Sequence, residues 1–282
     1  MRKIVFYMVI LIVMNGMSFA CSDFIIKAKD KTVVNGRSME FPIDLHSRIW
    51  VVPRGESHTS ITDKKVKGIS WTSKYGFFGI DAMGMKDGYV DGFNEKGLSL
   101  SGLAFGTFKY QDAVPGKFVT WNDFGTWVLG NFASVNEVKA ALKNVNIAEN
   151  YVKSVKGSMG MHMAIHDASG NNIVVEIVDE KINVYDNPLG VMTNRPEFDW
   201  QMNNLRNYIN LDTSDKDKKT INGVKIVSTG VGSGMLGLPG DWTPPSRFVR
   251  LALCIDGQLK PKNSIEAINA AEHILNVVDI PK

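Results

Sequence analysis

Eleven consecutive apolar residues, 4–14, sit behind the positive start Met1-Arg2-Lys3 and dictate where a fold can begin. The run falls short of the roughly 20 residues that a membrane-spanning helix needs, and Asn15-Gly16 breaks it. Ser18-Phe19-Ala20 then puts small residues at the −3 and −1 positions of a signal-peptidase cut. Residues 1–20 therefore read as a signal peptide, and the folded chain is expected to run over 21–282 in an exported, periplasmic or secreted protein. Cys21 would be its first residue.

That placement has three readings. A lipoprotein signal also ends on Cys, but it wants an aliphatic residue at −3 and a small one at −2, where this chain has Ser18 and Phe19. A bridge to Cys254, the second of two cysteines, suits an exported protein. In the third reading, cleavage gives Cys21 a free α-amine, with an unperturbed pKa of about 7.7–8.0, beside its own thiol. Nucleophile and base are then pre-assembled on one residue.

With 44% hydrophobic and 22% charged residues the composition is globular. The formal net charge of +3, falling to +1 without Arg2 and Lys3, calls for neither nucleic acid nor an anionic membrane surface. No later apolar run is long enough to span a bilayer. Residues 24–28 and 32–34 read as strands around the turn Asp30-Lys31, and 49–52 and 98–105 as further strands. Three consecutive antiparallel strands are expected over 159–166, 172–178 and 181–185. Ser134 with Glu137 forms a capping box for a helix through about residue 144. Helical spacing also marks 121–129, 198–209, 246–255 and 264–277. Strand runs interleaved with helices predict an α+β fold in one domain, helices covering a mostly antiparallel sheet.

Two motifs tempt and fail. Gly232-Ser233-Gly234-Met235-Leu236-Gly237 matches a dinucleotide fingerprint, but Pro239, Pro244 and Pro245 leave no room for the helix whose N-terminus must meet the pyrophosphate. His162 and His166 have the spacing of paired metal ligands on a helix, yet their segment reads as a strand and no third ligand stands out. They are expected to be structural, and no metal or cofactor is expected.

Five blocks, in order behind Cys21, carry a resemblance. They are Cys21-Ser22-Asp23-Phe24; Gly36-Arg37-Ser38-Met39-Glu40; Asp91-Gly92-Phe93-Asn94-Glu95-Lys96-Gly97-Leu98; Gly190-Val191-Met192-Thr193-Asn194 with Pro196 and Phe198-Asp199-Trp200; and Gly237-Leu238-Pro239-Gly240-Asp241 through Ser246-Arg247-Phe248. Over 21–282 the chain resembles the choloylglycine hydrolase family, N-terminal nucleophile hydrolases that include conjugated bile salt hydrolases and penicillin V acylases. The resemblance implies a four-layer αββα sandwich, and members that continue past the equivalent of Lys282 with further strands.

It also implies roles. Cys21 would be the nucleophile and its amine the base; Arg37 the cation beside the thiol; and Glu40, in place of the usual Asp, a holder of the amine. Asn194 and Asn94 would be oxyanion donors, and Arg247 a further active-site arginine. Each position also has a bland reading: Asn94 as turn chemistry, Asn194 as a loop residue, and Arg37, Glu40 and Arg247 as a structural ion network. The implied partner is a small N-acyl amide substrate, and a homo-oligomer is compatible with the composition. Phe24, Phe41, Ile80, Met83, Phe93 and Phe105 cluster near the matched blocks and predict an apolar acyl pocket. If Cys21 attacks, Cys254 must stay unbridged to it. The rival reading is a catalytically silent exported binding protein on the same fold.

Overall fold

The computed structural model describes residues 20–280 except Lys86 and Thr107; the expected signal peptide, Ala20 aside, lies outside them. The chain opens with β1 (Ala20–Lys27), β2 (Val33–Glu40), β3 (Ile49–Val52), β4 (Ser57–Ile61), β5 (Lys67–Thr72), β6 (Phe77–Asp81), β7 (Tyr89–Asn94), β8 (Ser99–Ala104) and β9 (Phe118–Thr120). Helices α1 (Phe124–Asn131) and α2 (Val135–Ala141) follow, then β10 (Asn146–Ala148), β11 (Met161–His166), β12 (Asn172–Val178), β13 (Lys181–Asp186) and β14 (Val191–Met192). The last third holds α3 (Phe198–Asn204), β15 (Lys218–Ile221), β16 (Val224–Val227), α4 (Pro244–Gly257) and α5 (Ser264–Asn276).

β1 is buried at every position but Lys27, a pattern that demands cover on both faces. It is the middle strand of a three-stranded sheet, β14-β1-β2, paired antiparallel on both sides. Strand alternation splits its side chains. Ser22 meets Arg247 of α4, so the even positions face the helices, whereas Asp23 meets His166 of β11 across the other face. The second sheet has seven strands in the order β13-β12-β11-β8-β7-β6-β3. Its far face carries α1, with Phe124, Val128 and Leu129 in its core, and α2, with Val135 and Val138. Helices α4 and α5 cover the smaller sheet with Phe248, Leu251, Ala267, Ala271 and Ile274. Helices, sheet, sheet and helices stack in four layers, as the resemblance implies.

Local signals hold these elements. Ser134 caps α2 by accepting the Glu137 N–H at 3.3 Å, and Glu137 reaches back to the Ala133 N–H at 2.8 Å. Asn263 caps α5 through the Glu266 N–H at 3.0 Å. Pro244 and Pro245 open α4, where a missing N–H costs nothing. The strands are longer than their apolar runs suggest: β2 continues through Arg37 to Glu40, so these polar residues sit on the ladder beside Cys21. The glycine-rich stretch 232–237 opens no long helix, only a 3-10 turn over Ser233–Met235. Among the described residues no helix is long and apolar enough to cross a membrane, and no cluster of three metal-ligating side chains occurs.

Candidate active site

The β1–β2 ladder sets the site. Its register pairs Ala20 with Glu40, Cys21 with Met39 and Asp23 with Arg37. Cys21 is 3% exposed and shares the inter-sheet face of β1 with Asp23. Its backbone N–H donates to Asn194 Oδ1 at 2.7 Å. Asn194, just after β14, also accepts from Arg247 Nη2 at 2.9 Å and donates from Nδ2 to the Ala104 carbonyl at 2.9 Å. An arginine only donates and a carbonyl only accepts, which fixes the way the amide faces.

Arg247 on α4 is fully buried and also donates to the Cys21 carbonyl at 2.6 Å and Ser22 Oγ at 2.7 Å. Burial pushes its guanidinium down to about 10, against the pull of Glu40 and Cys21. Glu40 is thus electrostatically close to Arg247, and its Oε2 is buried without a hydrogen-bond partner.

Arg37 is held from three sides. Nε donates to Asp91 Oδ1 at 2.9 Å, Nη2 to the Gly102 carbonyl at 2.8 Å and Nη1 to the Ser38 carbonyl. Burial alone would lower its pKa, but Asp91, Cys21 and Asp23 outweigh it and keep the guanidinium charged. Asp91 is raised, because burial outweighs the pull of Arg37 and Ser101. A fixed cation beside a thiol favours thiolate.

Asn94 is not brought to this site. Its Nδ2 donates to the Leu129 and Phe132 carbonyls, its Oδ1 accepts from the Lys96 and Leu98 N–H groups, and its own N–H donates to the Leu98 carbonyl. Every polar group is spent stitching the β7–β8 turn to the end of α1, so the turn reading describes it. These bonds leave neither Nδ2 nor the backbone N–H of Asn94 open for the oxyanion role that the resemblance implies. The sequence reading gives Asp23 and Asp91 no site role and takes His166 as structural; period-2 alternation from Cys21 is a signal that points to Asp23.

The space beside Cys21 is apolar and small, about 30 Å³, lined by Met39, Phe41, Leu45, Met83, Val90, Trp121 and neighbours. Phe41 and Met83 fall where expected. Phe24 is instead packed under Gly36, where an added Cβ would lie 2.3 Å from the ring, and Phe105 stacks on His162 at 4.6 Å between centroids. Ile80 and Phe93 line a larger cavity of about 680 Å³ across Arg37 and Met39, which Cys21 does not touch. That cavity lies between the second sheet and the Val33, Asn35, Arg37 and Met39 face of β2, an edge strand among the described residues. Cys254 lies on α4, unbridged, its thiol pushed up by burial. His162 pairs with Glu176 at 3.0 Å and His166 with Asp23 at 2.6 Å, and neither forms part of a metal cluster.

Residues 21–282 match the family model for linear amide C–N hydrolases, choloylglycine hydrolase family. The bile salt hydrolase/transferase of Clostridium perfringens (strain 13 / Type A) is 37% identical over 265 residues, which span 92% of this chain and 78% of that protein. A solved variant of the conjugated bile acid hydrolase from Clostridium perfringens superposes with a TM-score of 0.80 at 37% identity, covering 92% of this chain and 79% of that one. Penicillin V acylase from Agrobacterium tumefaciens superposes with a TM-score of 0.74 at 27% identity, covering 93% and 73%.

Proposed function

The chain belongs to the choloylglycine hydrolase family of linear amide C–N hydrolases, and on that premise we propose that Cys21, freed as the N-terminal residue, is its nucleophile. Export and removal of residues 1–20 turn the Cys21 nitrogen into an α-amine. The thiol proton passes to that amine, and Arg37 stabilises the thiolate. Sulfur attacks the acyl carbon, and the charge that develops on oxygen is met by the second Nδ2 hydrogen of Asn194, the first being held by Ala104. The protonated amine then delivers its proton to the departing nitrogen. Water attacks the acyl-thioester with the amine as base, which releases the acid and restores the thiol.

The observation that carries this reading is the setting of the Cys21 nitrogen, 2.7 Å from Asn194 Oδ1, with the orphaned Glu40 Oε2 belonging to the register partner of the residue just before it. Glu40 is the acceptor for the charge that the amine gains. The apolar lining by Met39, Phe41, Leu45 and Trp121 supports a hydrophobic acyl group joined to a polar amine. Conjugated bile acids, phenoxyacetyl penicillins and N-acyl homoserine lactones are the substrate classes of that shape. The silent-binder reading has no observation in its favour.

Intact-mass measurement of exported protein, paired with amine release from one substrate of each class, tests the proposal. A mature chain starting at Cys21, with turnover abolished in Cys21→Ala, is the expected result. A mature chain starting elsewhere, or turnover that survives Cys21→Ala, overturns it.

A further inference from the structure

One buried cluster has no part in that reaction. Asp23 and His166 are 0% and 2% exposed. His166 Nε2 lies 2.6 Å from Asp23 Oδ1, and Nδ1 lies 2.9 Å from Asn172 Oδ1. The Asn172 amide is oriented by its own Nδ2, which donates to the Gly170 carbonyl at 3.0 Å. Both ring nitrogens therefore face acceptors, and only an imidazolium has two N–H groups to give them. Burial disfavours the charged ring, yet Asp23, then Asn172 and Asp167, outweigh it and hold the His166 proton above the ordinary histidine range. The other Asp23 oxygen accepts from Asn35 Nδ2 at 2.9 Å.

The pair sits against the nucleophile's cation. Asp23 is two residues on from Cys21 along the same face and is the register partner of Arg37. Across the inter-sheet space, Arg37 and His166 are the cations and Asp23 and Asp91 the anions in contact with them. Asp167, in the turn after β11, spends its carboxylate on the Val135, Ser169 and Asn171 N–H groups. These four charges cancel, and a Cys21 thiolate adds a fifth, which Arg37 meets alongside Asp91 and which Arg247, itself faced by Glu40, meets from the other side. With a neutral His166, the Asp23 carboxylate would stand unpaired beside Arg37 and compete for it.

We propose that His166 is a positioning residue for the nucleophile: as a buried imidazolium it neutralises Asp23, so that Arg37 answers only to Asp91 and the Cys21 thiolate. The inference rests on the reading of Cys21 as the nucleophile and adds how its thiolate is protected from a neighbouring carboxylate. The two residues act through charge, so removing one should hurt and removing both should not.

Processed protein carrying Cys254→Ala is labelled with iodoacetamide across a pH series, adducts are mapped by mass, and turnover is followed on the same samples. His166→Gln should raise the midpoint of Cys21 labelling by about one pH unit, and so lower kcat at neutral pH about tenfold with little change in KM. Asp23→Asn with His166→Gln, which removes both charges, should bring midpoint and kcat back to within about threefold of the parent. A packing role predicts the opposite order, the double variant being the worse of the two. A folded His166→Gln with an unshifted midpoint, or a double variant that fails to recover, overturns the inference. Should His166→Gln fail to fold, nitrogen NMR of the parent decides. Two protonated ring nitrogens at about pH 8, above the ordinary histidine range, support it, and a neutral ring overturns it. A parent that is not labelled at Cys21, or that stays active when labelled, brings down the nucleophile reading and this inference together. A labelled and inactivated parent with an unshifted His166→Gln brings down the inference alone.

Discussion

At the residue scale the economy of Asn194 is the central point. One side-chain amide receives the Cys21 N–H and Arg247 on its oxygen and leaves one hydrogen of its nitrogen uncommitted beyond Ala104. Arg247, though lowered to about 10 by burial, stays charged at neutral pH and pins the oxygen. Asn194→Ala removes the donor and also strands a buried guanidinium N–H. Loss of one oxyanion donor is worth ~2.7–4 kcal/mol of barrier, so kcat should fall about 100- to 1,000-fold with a smaller change in KM. Steady-state kinetics on a hydrolysed substrate checks this, and an unchanged kcat would remove Asn194 from the proposed mechanism. The matched blocks made Asn94 and Asn194 look equivalent, and only their contacts separate them. An asparagine spent on a turn and one held beside Cys21 share the same short polar side chain, so the sequence has no means of telling which direction the chain presents it.

At the element scale, the layers approach so closely that single glycines decide the spacing. In α1, a Cβ on Gly125 would lie 2.2 Å from the Tyr89 carbonyl oxygen of β7. The obstacle is backbone in a paired strand and cannot rotate away. Gly125→Ala should therefore cost about 1–3 kcal/mol or more by overpacking, despite the better helix propensity of alanine. Urea denaturation followed by circular dichroism measures it, and an unchanged or raised midpoint would refute the argument. Helix existence was legible from spacing and caps, since Ser134 and Asn263 act within three residues. Strand extent was less so. Apolar runs mark where a strand is buried, and β2 runs on through polar Arg37, Ser38 and Glu40 because its partner β1 continues to Ala20. The hairpin β15–β16 is exposed at every position, and its signal is the Asn222-Gly223 turn before Val224-Lys225-Ile226-Val227, not a buried face.

At the scale of the whole molecule, the site lies between two sheets, and the chain that covers it is the segment 41–48. Phe41 and Leu45 of that segment line the roughly 30 Å³ beside Cys21, a space too small for a hydrophobic acyl group. On the proposed mechanism the acyl group lies beside these side chains, so their size would set which acyl groups fit. Leu45→Ala should shift kcat/KM towards bulkier acyl groups by about tenfold or more, at ~1–3 kcal/mol per methylene-sized change in a hydrophobic pocket. A series of amides graded in acyl size tests this; equal effects on all members would mean that Leu45 does not shape the pocket.

Features that act over short range are written in the chain. These are the apolar run that places a strand over 24–28, the caps and prolines that start α2, α4 and α5, and the ordered blocks that mark the family. Tertiary structure alone decided which side chains meet. Cys21 and Asn194 are 173 residues apart, Asp23 and His166 143, and Arg37 and Asp91 54. Local propensity is settled among neighbours a few positions away, and it leaves a periodic imprint on the sequence. A contact between two sheets depends on register and layer order, which are selected when the whole apolar surface is buried together. An aspartate on β1 and a histidine on β11 carry no mark in the chain that they will end 2.6 Å apart on the inter-sheet face that Cys21 shares.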